Sequence, residues 1–163
     1  MSRRIAAALV VVLAAALGAR TVAGGDGDGG AAQRGARGTA VVTRVLDGDS
    51  AVLRKLGTSR FIGVDTPEVY GGDECFGAQA SAFARRVLAG QRIRYEVGAE
   101  PRDRYGRALV YIWLEDGRFF NEMLVSEGYA RTLAIAPNVE YAARLRRSAR
   151  VARRDGRGLW ETC

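Results

Sequence analysis

The 163-residue chain contains no histidine, and this absence narrows the chemistry that it can perform. Histidine is the commonest general base and metal ligand, and it activates the nucleophile of Ser-His and Cys-His hydrolases. Only two cysteines are present, whereas a structural zinc site needs four Cys or His ligands. An enzyme with this composition must therefore rely on carboxylates, arginines and a hard metal ion.

The first residues have the pattern of a secretory signal peptide. Two arginines precede an apolar run from Ile5 to Leu17, and this run is shorter than the ~20 residues of a membrane-spanning helix. We expect residues 1–23 to be the signal, with cleavage after Ala23 or, alternatively, after Ala19. An uncleaved N-terminal anchor is the other interpretation, and membrane association is expected only in that case.

Composition divides the rest of the chain into a linker and one domain. Residues 24–38 are rich in glycine and cannot bury apolar surface, so we expect a disordered linker. Residues 39–163 are long enough for one domain with a single core. The formal charge of +7 suits an anionic polymer such as nucleic acid, a phospholipid surface or an acidic glycan. We expect the protein to be secreted or held in the cell envelope.

The two cysteines are expected to pair. An even number of cysteines in an exported protein favours a disulfide, so we predict one between Cys75 and Cys163. The alternative is two free or intermolecular thiols.

Apolar patterns and turn residues predict an α+β fold, with five short strands and three helices. The strands fall in 40–46, 51–53, 59–65, 91–97 and 107–120, and the helices in 76–90, 121–130 and 136–160. We expect Gly48 to take an unusual backbone angle in the first hairpin. Asn121 and Asn138 are expected to cap the second and third helices, and Gly128 to end the second. A small five-stranded barrel with helices packed on it fits best.

Charged residues are concentrated where strands end or turn. They are Asp47 and Asp49; Arg60, Asp65 and Glu68; and Asp103, Arg104 and Arg107. Carboxylates on different loops can hold Ca²⁺, and guanidinium groups match phosphate oxygens two at a time. A further carboxylate could orient or deprotonate water, which together describes a phosphodiester hydrolysis site. Each motif alone is typical of an ordinary turn, and a strict strand would place Arg60 and Asp65 on opposite faces.

Four segments in this order and at this spacing resemble the staphylococcal nuclease (thermonuclease) family. They are "VLDGDS", "RFIGVDTPE", "DRYGRALVYIW" and "NEMLVSEGYA", and the resemblance extends from about residue 41 to 160. It implies an OB-type β-barrel with three helices. Two departures are the replacement of the usual Thr by Ser50 and the absence of tyrosines from "TLAIAPN", where the staphylococcal protein stacks rings on the base.

The resemblance also implies a role for each site residue. Asp49 and Asp65 would ligate Ca²⁺ through their carboxylates, and Thr66 through its backbone carbonyl. Arg60 and Arg107 would clamp the phosphate, and Glu68 would act on the attacking water. The remaining implied roles are an outer-shell position for Asp47 and a substrate contact for Tyr105.

The sequence thus predicts a monomeric, calcium-dependent nuclease that hydrolyses DNA and RNA to 3′-phosphate ends, without a stable protein partner. One alternative is an OB module that binds nucleic acid without cutting it. Another is an envelope-binding protein that uses the arginine-rich last helix on anionic surfaces.

Overall fold

The computed structural model describes residues 33–69 and 74–163, so the expected signal peptide and residues 24–32 of the expected linker lie outside the described part of the chain. The strands are β1 (Arg37–Val45), β2 (Ser50–Leu53), β3 (Gly57–Phe61), β4 (Gly63–Asp65), β5 (Arg92–Arg102), β6 (Ala108–Leu114) and β7 (Arg131–Leu133). The helices are α1 (Gly77–Leu88), α2 (Phe120–Ser126), α3 (Ala142–Arg154) and α4 (Leu159–Thr162).

Five strands close into a barrel in the order β1-β2-β3-β6-β5, while β4 and β7 form a separate two-stranded sheet. All pairings between neighbouring barrel strands are antiparallel except β3 with β6, which is parallel. The predicted α+β class and five-stranded barrel are confirmed. The sequence patterns missed β7 and the four-residue helix α4, which are too short for a recognisable period.

The barrel begins slightly earlier than predicted. Arg37 pairs with Glu96 in the β1–β5 register, and its Nε lies 3.0 Å from a Glu96 carboxylate oxygen. Residues 37 and 38 therefore belong to the domain and not to the linker.

The predicted third strand is broken into β3 and β4 at Gly63. This glycine has a φ of 81°, a left-handed conformation that favours glycine, and an added Cβ would lie 2.5 Å from a methyl carbon of Leu145. The break redirects the chain between Arg60 and Asp65. Both side chains can therefore reach one site, which a continuous strand would prevent.

At Gly48 a lack of space, and not the predicted backbone angle, requires glycine. It does not adopt a positive φ, but an added Cβ would lie 2.6 Å from the Thr66 side chain. The first hairpin turn and the segment after β4 thus approach each other closely, which brings Asp49 next to Thr66.

The interior of the barrel continues into the interface with α1 and α2. The largest fully buried side chains include Phe61, Leu88, Ile112 and Phe120. Phe61 meets Phe120 edge-to-face, with 5.6 Å between ring centroids. Burying a side chain of this size stabilises the fold by about 1.5–3 kcal/mol, so this packing holds the helices against the barrel.

Asn121 does not cap α2, because it is the second residue of the helix and is fully buried. Its Oδ1 accepts the Ile112 backbone N–H at 2.9 Å, and its Nδ2 donates to the Ile62 carbonyl at 2.8 Å. The side chain thereby joins β6 to the turn between β3 and β4. The predicted stop of this helix agrees with the structure, since Gly128 has a φ of 76° shortly after the helix ends.

Asn138 does not cap α3 either, because that helix begins at Ala142. Its side chain is buried and binds both backbone groups of Glu100, accepting at 2.8 Å and donating at 3.0 Å. An added Cβ at Gly98 would lie 2.6 Å from Asn138 Oδ1. Asn138 therefore fixes the loop before α3 to the end of β5.

The predicted disulfide is present. Cys75, just before α1, and the final residue Cys163 are bonded, with Cα atoms 6.0 Å apart. The bridge joins the chain end to the start of the first helix. Among the described residues, no helix has the length and apolar character required to cross a membrane.

Candidate active site

Arg60 lies at the centre of the predicted site and joins the backbone of the β3–β4 turn to two carboxylates. Its Nη1 donates to the carbonyls of Phe61 and Val64 at 3.0 and 2.8 Å. Its Nη2 lies 2.9 Å from Asp49 Oδ2 and 2.9 Å from Asp65 Oδ1. The guanidinium is therefore held in one orientation, and a single nitrogen bridges the two predicted metal ligands.

Asp49 is the buried carboxylate of the pair. Its side chain is 8% exposed, and its Oδ2 accepts the Thr66 backbone N–H at 2.8 Å. Burial raises the pKa of Asp49 to about 7, although Arg60 and the Thr66 N–H act in the opposite direction. A buried carboxyl with a raised pKa gains from a positive charge placed beside it. This favours a cation next to Asp49.

The donors around Asp49 fit a hard divalent cation. Asp65 is half exposed, and its chain neighbour Thr66 donates its backbone N–H to Asp49, so the two carboxylates lie close together and offer oxygen ligands. Within residues 33–69 and 74–163, no group of three or more cysteine, aspartate or glutamate side chains could hold an ion. The described residues thus supply two carboxylates here and no larger acidic cluster.

Asp47 shapes the turn that presents Asp49. Its Oδ1 accepts the Asp49 backbone N–H at 3.0 Å, and its Oδ2 accepts the Ser50 hydroxyl at 2.7 Å. Both carboxylate oxygens of Asp47 are therefore used within the turn. This arrangement suits a residue that supports a ligand and does not itself bind the ion.

Glu68 follows Asp65 by three residues and does not line the cleft with Arg60 and Arg107. Its side chain is exposed, and none of the described residues forms a hydrogen bond or ion pair with its carboxylate. Its backbone is fixed instead, because the Glu68 N–H donates to Glu74 Oε2 at 3.0 Å and its carbonyl accepts the Glu74 N–H at 3.1 Å. The carboxylate is therefore available to a water or substrate.

Arg107 is oriented by Asp103, across the loop between β5 and β6. Its Nε donates to Asp103 Oδ2 at 2.7 Å, and its backbone N–H donates to Oδ1 at 3.0 Å. Burial acts to raise the pKa of Asp103, but the hydrogen bonds from Arg107 and Tyr105 outweigh it and lower that pKa. Asp103 therefore stays ionised and holds the guanidinium at neutral pH.

Arg60, Tyr105 and Arg107 line one cleft of about 530 Å³. Tyr105 is 68% exposed, and the guanidinium groups of Arg104 and Arg107 lie 4.8 and 5.5 Å from the centre of its ring. The other wall includes the exposed aliphatic side chains of Leu133 and Ile135. The cleft thus combines three arginines, the exposed ring of Tyr105 and an apolar surface.

Three features of this site were not predicted from the sequence. Asp103 was grouped with the charged residues but received no role, although its spacing of four from Arg107 could have indicated the pair. Asn138 also lines the cleft. The carbonyls that hold Arg60 have no sequence signal, because any residue supplies a carbonyl and only the turn geometry selects them.

Comparisons with known proteins show which family the chain belongs to. Residues 58–162 match the family model described as "Staphylococcal nuclease homologue". The chain is 39% identical over 127 residues to the thermonuclease of Staphylococcus intermedius, covering 74% of this chain and 75% of that protein. Identity to the thermonuclease of Staphylococcus hyicus is 38% over 125 residues, covering 73% of each. Endonuclease YhcR of Bacillus subtilis is 38% identical over 135 residues, which are 74% of this chain but 11% of that protein. The chain therefore belongs to the staphylococcal nuclease family.

Proposed function

We propose that the protein is a secreted, calcium-dependent endonuclease that hydrolyses phosphodiester bonds in DNA and RNA. Family membership and the names of the relatives, thermonuclease and endonuclease, support the reaction class. The observation that carries the proposal is the Arg60 nitrogen that bridges Asp49 and Asp65 beside the cleft containing Arg107. Carboxylates for a cation and guanidinium groups for a phosphate thus share one site.

Asp49, Asp65 and the Thr66 carbonyl would hold the calcium ion. A bound Ca²⁺ supplies positive charge for the phosphate oxygens and for an attacking water. The buried Asp49 contributes charge from a poorly solvated position, where electrostatic attraction is stronger than in water. Asp47 keeps the Asp49 turn in place through its hydrogen bonds to the Asp49 N–H and the Ser50 hydroxyl.

Arg60 and Arg107 would bind and orient the phosphate from two sides of the cleft. Arg60 Nη2 donates a hydrogen bond to Asp65 and forms an ion pair with Asp49, and it would turn to a phosphate once a cation neutralises these two carboxylates. Arg107 keeps its Nε on Asp103, so its terminal nitrogens remain to face the cleft. Two positioned guanidinium groups stabilise the charge that develops on the phosphate oxygens in the transition state.

Glu68 would orient or deprotonate the attacking water, because its carboxylate is exposed and unpaired among the described residues. Tyr105 would contact the substrate at the mouth of the cleft. Leu133 and Ile135 offer aliphatic surface to a base and no hydrogen-bonding side chain. This favours cleavage with little base preference, and we propose activity on both DNA and RNA, 3′-phosphate products and a monomeric enzyme.

The test is cleavage of end-labelled DNA and RNA by the purified domain, with calcium and then with excess chelator. Cleavage of both polymers that stops in chelator supports the proposal. Arg107→Ala serves as the inactive control, and Arg118→Ala is the matched control, because its ion pair with Asp116 lies in another turn. Binding of either polymer without cleavage in calcium would instead favour a non-catalytic OB module.

A further inference from the structure

A second groove, of about 240 Å³, lies further along β7 than the cleft and shares no lining residue with it. Four arginines and one tryptophan define this arginine groove: Arg131 from β7, Arg146, Arg150 and Arg153 from α3, and Trp160 from α4. The three arginines of α3 are spaced so that they share one face of the helix. No acidic residue lines the groove.

The positive charge of the arginine groove is not neutralised by the protein. None of its four arginines forms an ion pair within residues 33–69 and 74–163, whereas nearby Arg144 and Arg154 pair with Glu122 and Asp155. The groove therefore differs from an ordinary solvated helix face on which cations and anions alternate. Its charge is complementary to a polyanion.

Two of the four guanidinium groups lie beside the ring of Trp160. The guanidinium groups of Arg131 and Arg153 lie 5.6 and 5.4 Å from the centre of its ring. Two like charges beside one ring repel each other, and an anion between them would relieve that repulsion. The Trp160 Nε1–H is buried without an acceptor in the described part of the chain, which leaves it free to donate to a bound group.

Strand β7 connects the arginine groove to the active-site cleft. Leu133 lines the cleft and Arg131 lines the groove, and residues two apart in a strand project to the same side. Their separation along the strand is about 7 Å, which equals the rise of about two nucleotides at ~3.4 Å each. Arg131 also pairs in register with Asp65, so the groove begins beside the proposed metal ligand.

We propose that the arginine groove binds phosphates of the nucleic-acid strand on one side of the bond being cut. This inference rests on the proposed nuclease function for the identity of the polyanion. Guanidinium groups bind the phosphates, and the Trp160 ring anchors two of those groups by cation–π interaction. The groove extends the binding site for long substrates and leaves the reaction at the cleft unchanged.

The test compares Arg150→Gln/Arg153→Gln with the charge-matched control Arg54→Gln/Arg147→Gln. The control residues are exposed and line neither the cleft nor the arginine groove; Arg54 lies in the turn after β2, and Arg147 lies on α3. Glutamine has nearly the helix propensity of arginine, so both variants are expected to fold. Binding is measured by fluorescence anisotropy in chelator, with single strands of about 4 and about 16 nucleotides, which bracket the site sizes of OB folds.

We expect the groove variant to bind the longer strand about tenfold more weakly and the shorter strand as the wild type does. For the longer strand, the slope of the logarithm of the binding constant against the logarithm of the salt concentration should also become less steep. The change should be about 0.7 for each phosphate that the protein no longer neutralises. Unchanged binding of the longer strand, or equal weakening for both lengths or both variants, would overturn the proposal. Loss of binding to phosphatidylglycerol vesicles, with strand binding intact, would also overturn it and indicate a membrane surface.

The same experiment separates this inference from the proposed function. Because binding is measured in chelator, it does not depend on catalysis. If binding weakens in a length-dependent way but the protein cleaves no strand in calcium, the groove proposal stands and the proposed nuclease function is wrong. If short strands are cleaved normally but the groove variant shows no difference between the two strand lengths in binding, the nuclease function stands and the groove proposal is wrong.

Discussion

Asp103 holds Arg107 through both of its carboxylate oxygens, with Oδ2 accepting from Nε at 2.7 Å and Oδ1 accepting from the backbone N–H at 3.0 Å. Oδ1 also accepts the Tyr105 N–H at 3.0 Å. One carboxylate thus fixes the loop and one guanidinium of the cleft. The position of the proposed phosphate clamp therefore depends on Asp103, which acts through Arg107.

Asp103→Asn should therefore reduce kcat with little effect on KM or folding. The amide oxygen can still accept the two backbone N–H groups, but the amide nitrogen cannot accept from Arg107 Nε. A misplaced catalytic group costs up to about 10²-fold in rate, so we expect a loss of about ten- to hundredfold. Steady-state kinetics and thermal unfolding of the same preparation measure both effects.

The matched control for this change is Asp116→Asn. Asp116 binds the Arg118 N–H and Nε at 3.0 and 2.7 Å, which is the same pattern in a turn outside the cleft. Its kcat should equal that of the wild type. An equal loss of kcat in both variants would show that Asp103 has no positioning role.

Arg60→Ala and Arg107→Ala should both lower turnover but differ in their effect on stability. Removing a positioned charge donor costs about 10²–10³ in rate. Arg60 also satisfies two carbonyls and two carboxylates, so its removal should clearly lower the free energy of unfolding. Arg107 has one acidic partner, so Arg107→Ala should lower the free energy of unfolding less than Arg60→Ala does. Urea unfolding of each variant tests this, and equal destabilisation would contradict it.

The local features of the site were predictable from the sequence, whereas its long-range contacts were not. Asp49 and Asp65 stand at strand ends, where turn chemistry and strand periodicity give a local signal. Asn121 and Asn138 were assigned as helix caps, because capping is the common local use of asparagine. Their actual partners lie 59 and 38 residues away in the chain, at Ile62 and Glu100. No short-range pattern encodes such a contact.

Calcium affinity should fall as the pH drops below about 7. The pKa of Asp49 is about 7 because the side chain is buried, so below that pH the carboxyl is protonated and calcium must displace the proton. Affinity should fall by up to tenfold per pH unit below the pKa and level off above it. Calcium affinity is measured one pH unit below and one pH unit above pH 7, by competition with a calcium-chelating dye.

Asp49→Asn provides the control for the pH dependence. The amide does not titrate, so calcium binding should be weaker at both pH values and nearly independent of pH. A wild-type affinity that is the same at both pH values would mean that Asp49 is already ionised, or that it does not ligate calcium.

The Cys75–Cys163 disulfide should contribute to global stability. It connects residues separated by 88 positions, for which the chain-entropy model gives an upper limit of about 4–5 kcal/mol. Cys75→Ser/Cys163→Ser should lower the free energy of unfolding by an amount within that limit, as measured by urea denaturation. The unfolded, unreduced wild type should show no free thiol, and two thiols per chain would contradict the bond.

Glu68→Gln should abolish turnover while leaving calcium binding nearly intact. Its exposed carboxylate has no partner among the described residues, in contrast to Asp49 and Asp65, which share the Arg60 nitrogen. An amide keeps the shape of the side chain but cannot take a proton from water. General-base assistance accounts for about 10²–10⁴ in rate, so we expect a loss in that range.

Calcium titration of activity distinguishes this role from metal ligation. High calcium should partly restore the activity of Asp49→Asn, because that variant is limited by the affinity for the ion. It should not restore Glu68→Gln, in which the group acting on water is missing. Glu74→Gln is a useful comparison, since among residues 33–69 and 74–163 the Glu74 side chain accepts from the Glu68 backbone N–H alone, and an amide oxygen can do the same. If calcium rescues Glu68→Gln, the carboxylate is a ligand, and the division of roles between Glu68 and the two aspartates is wrong.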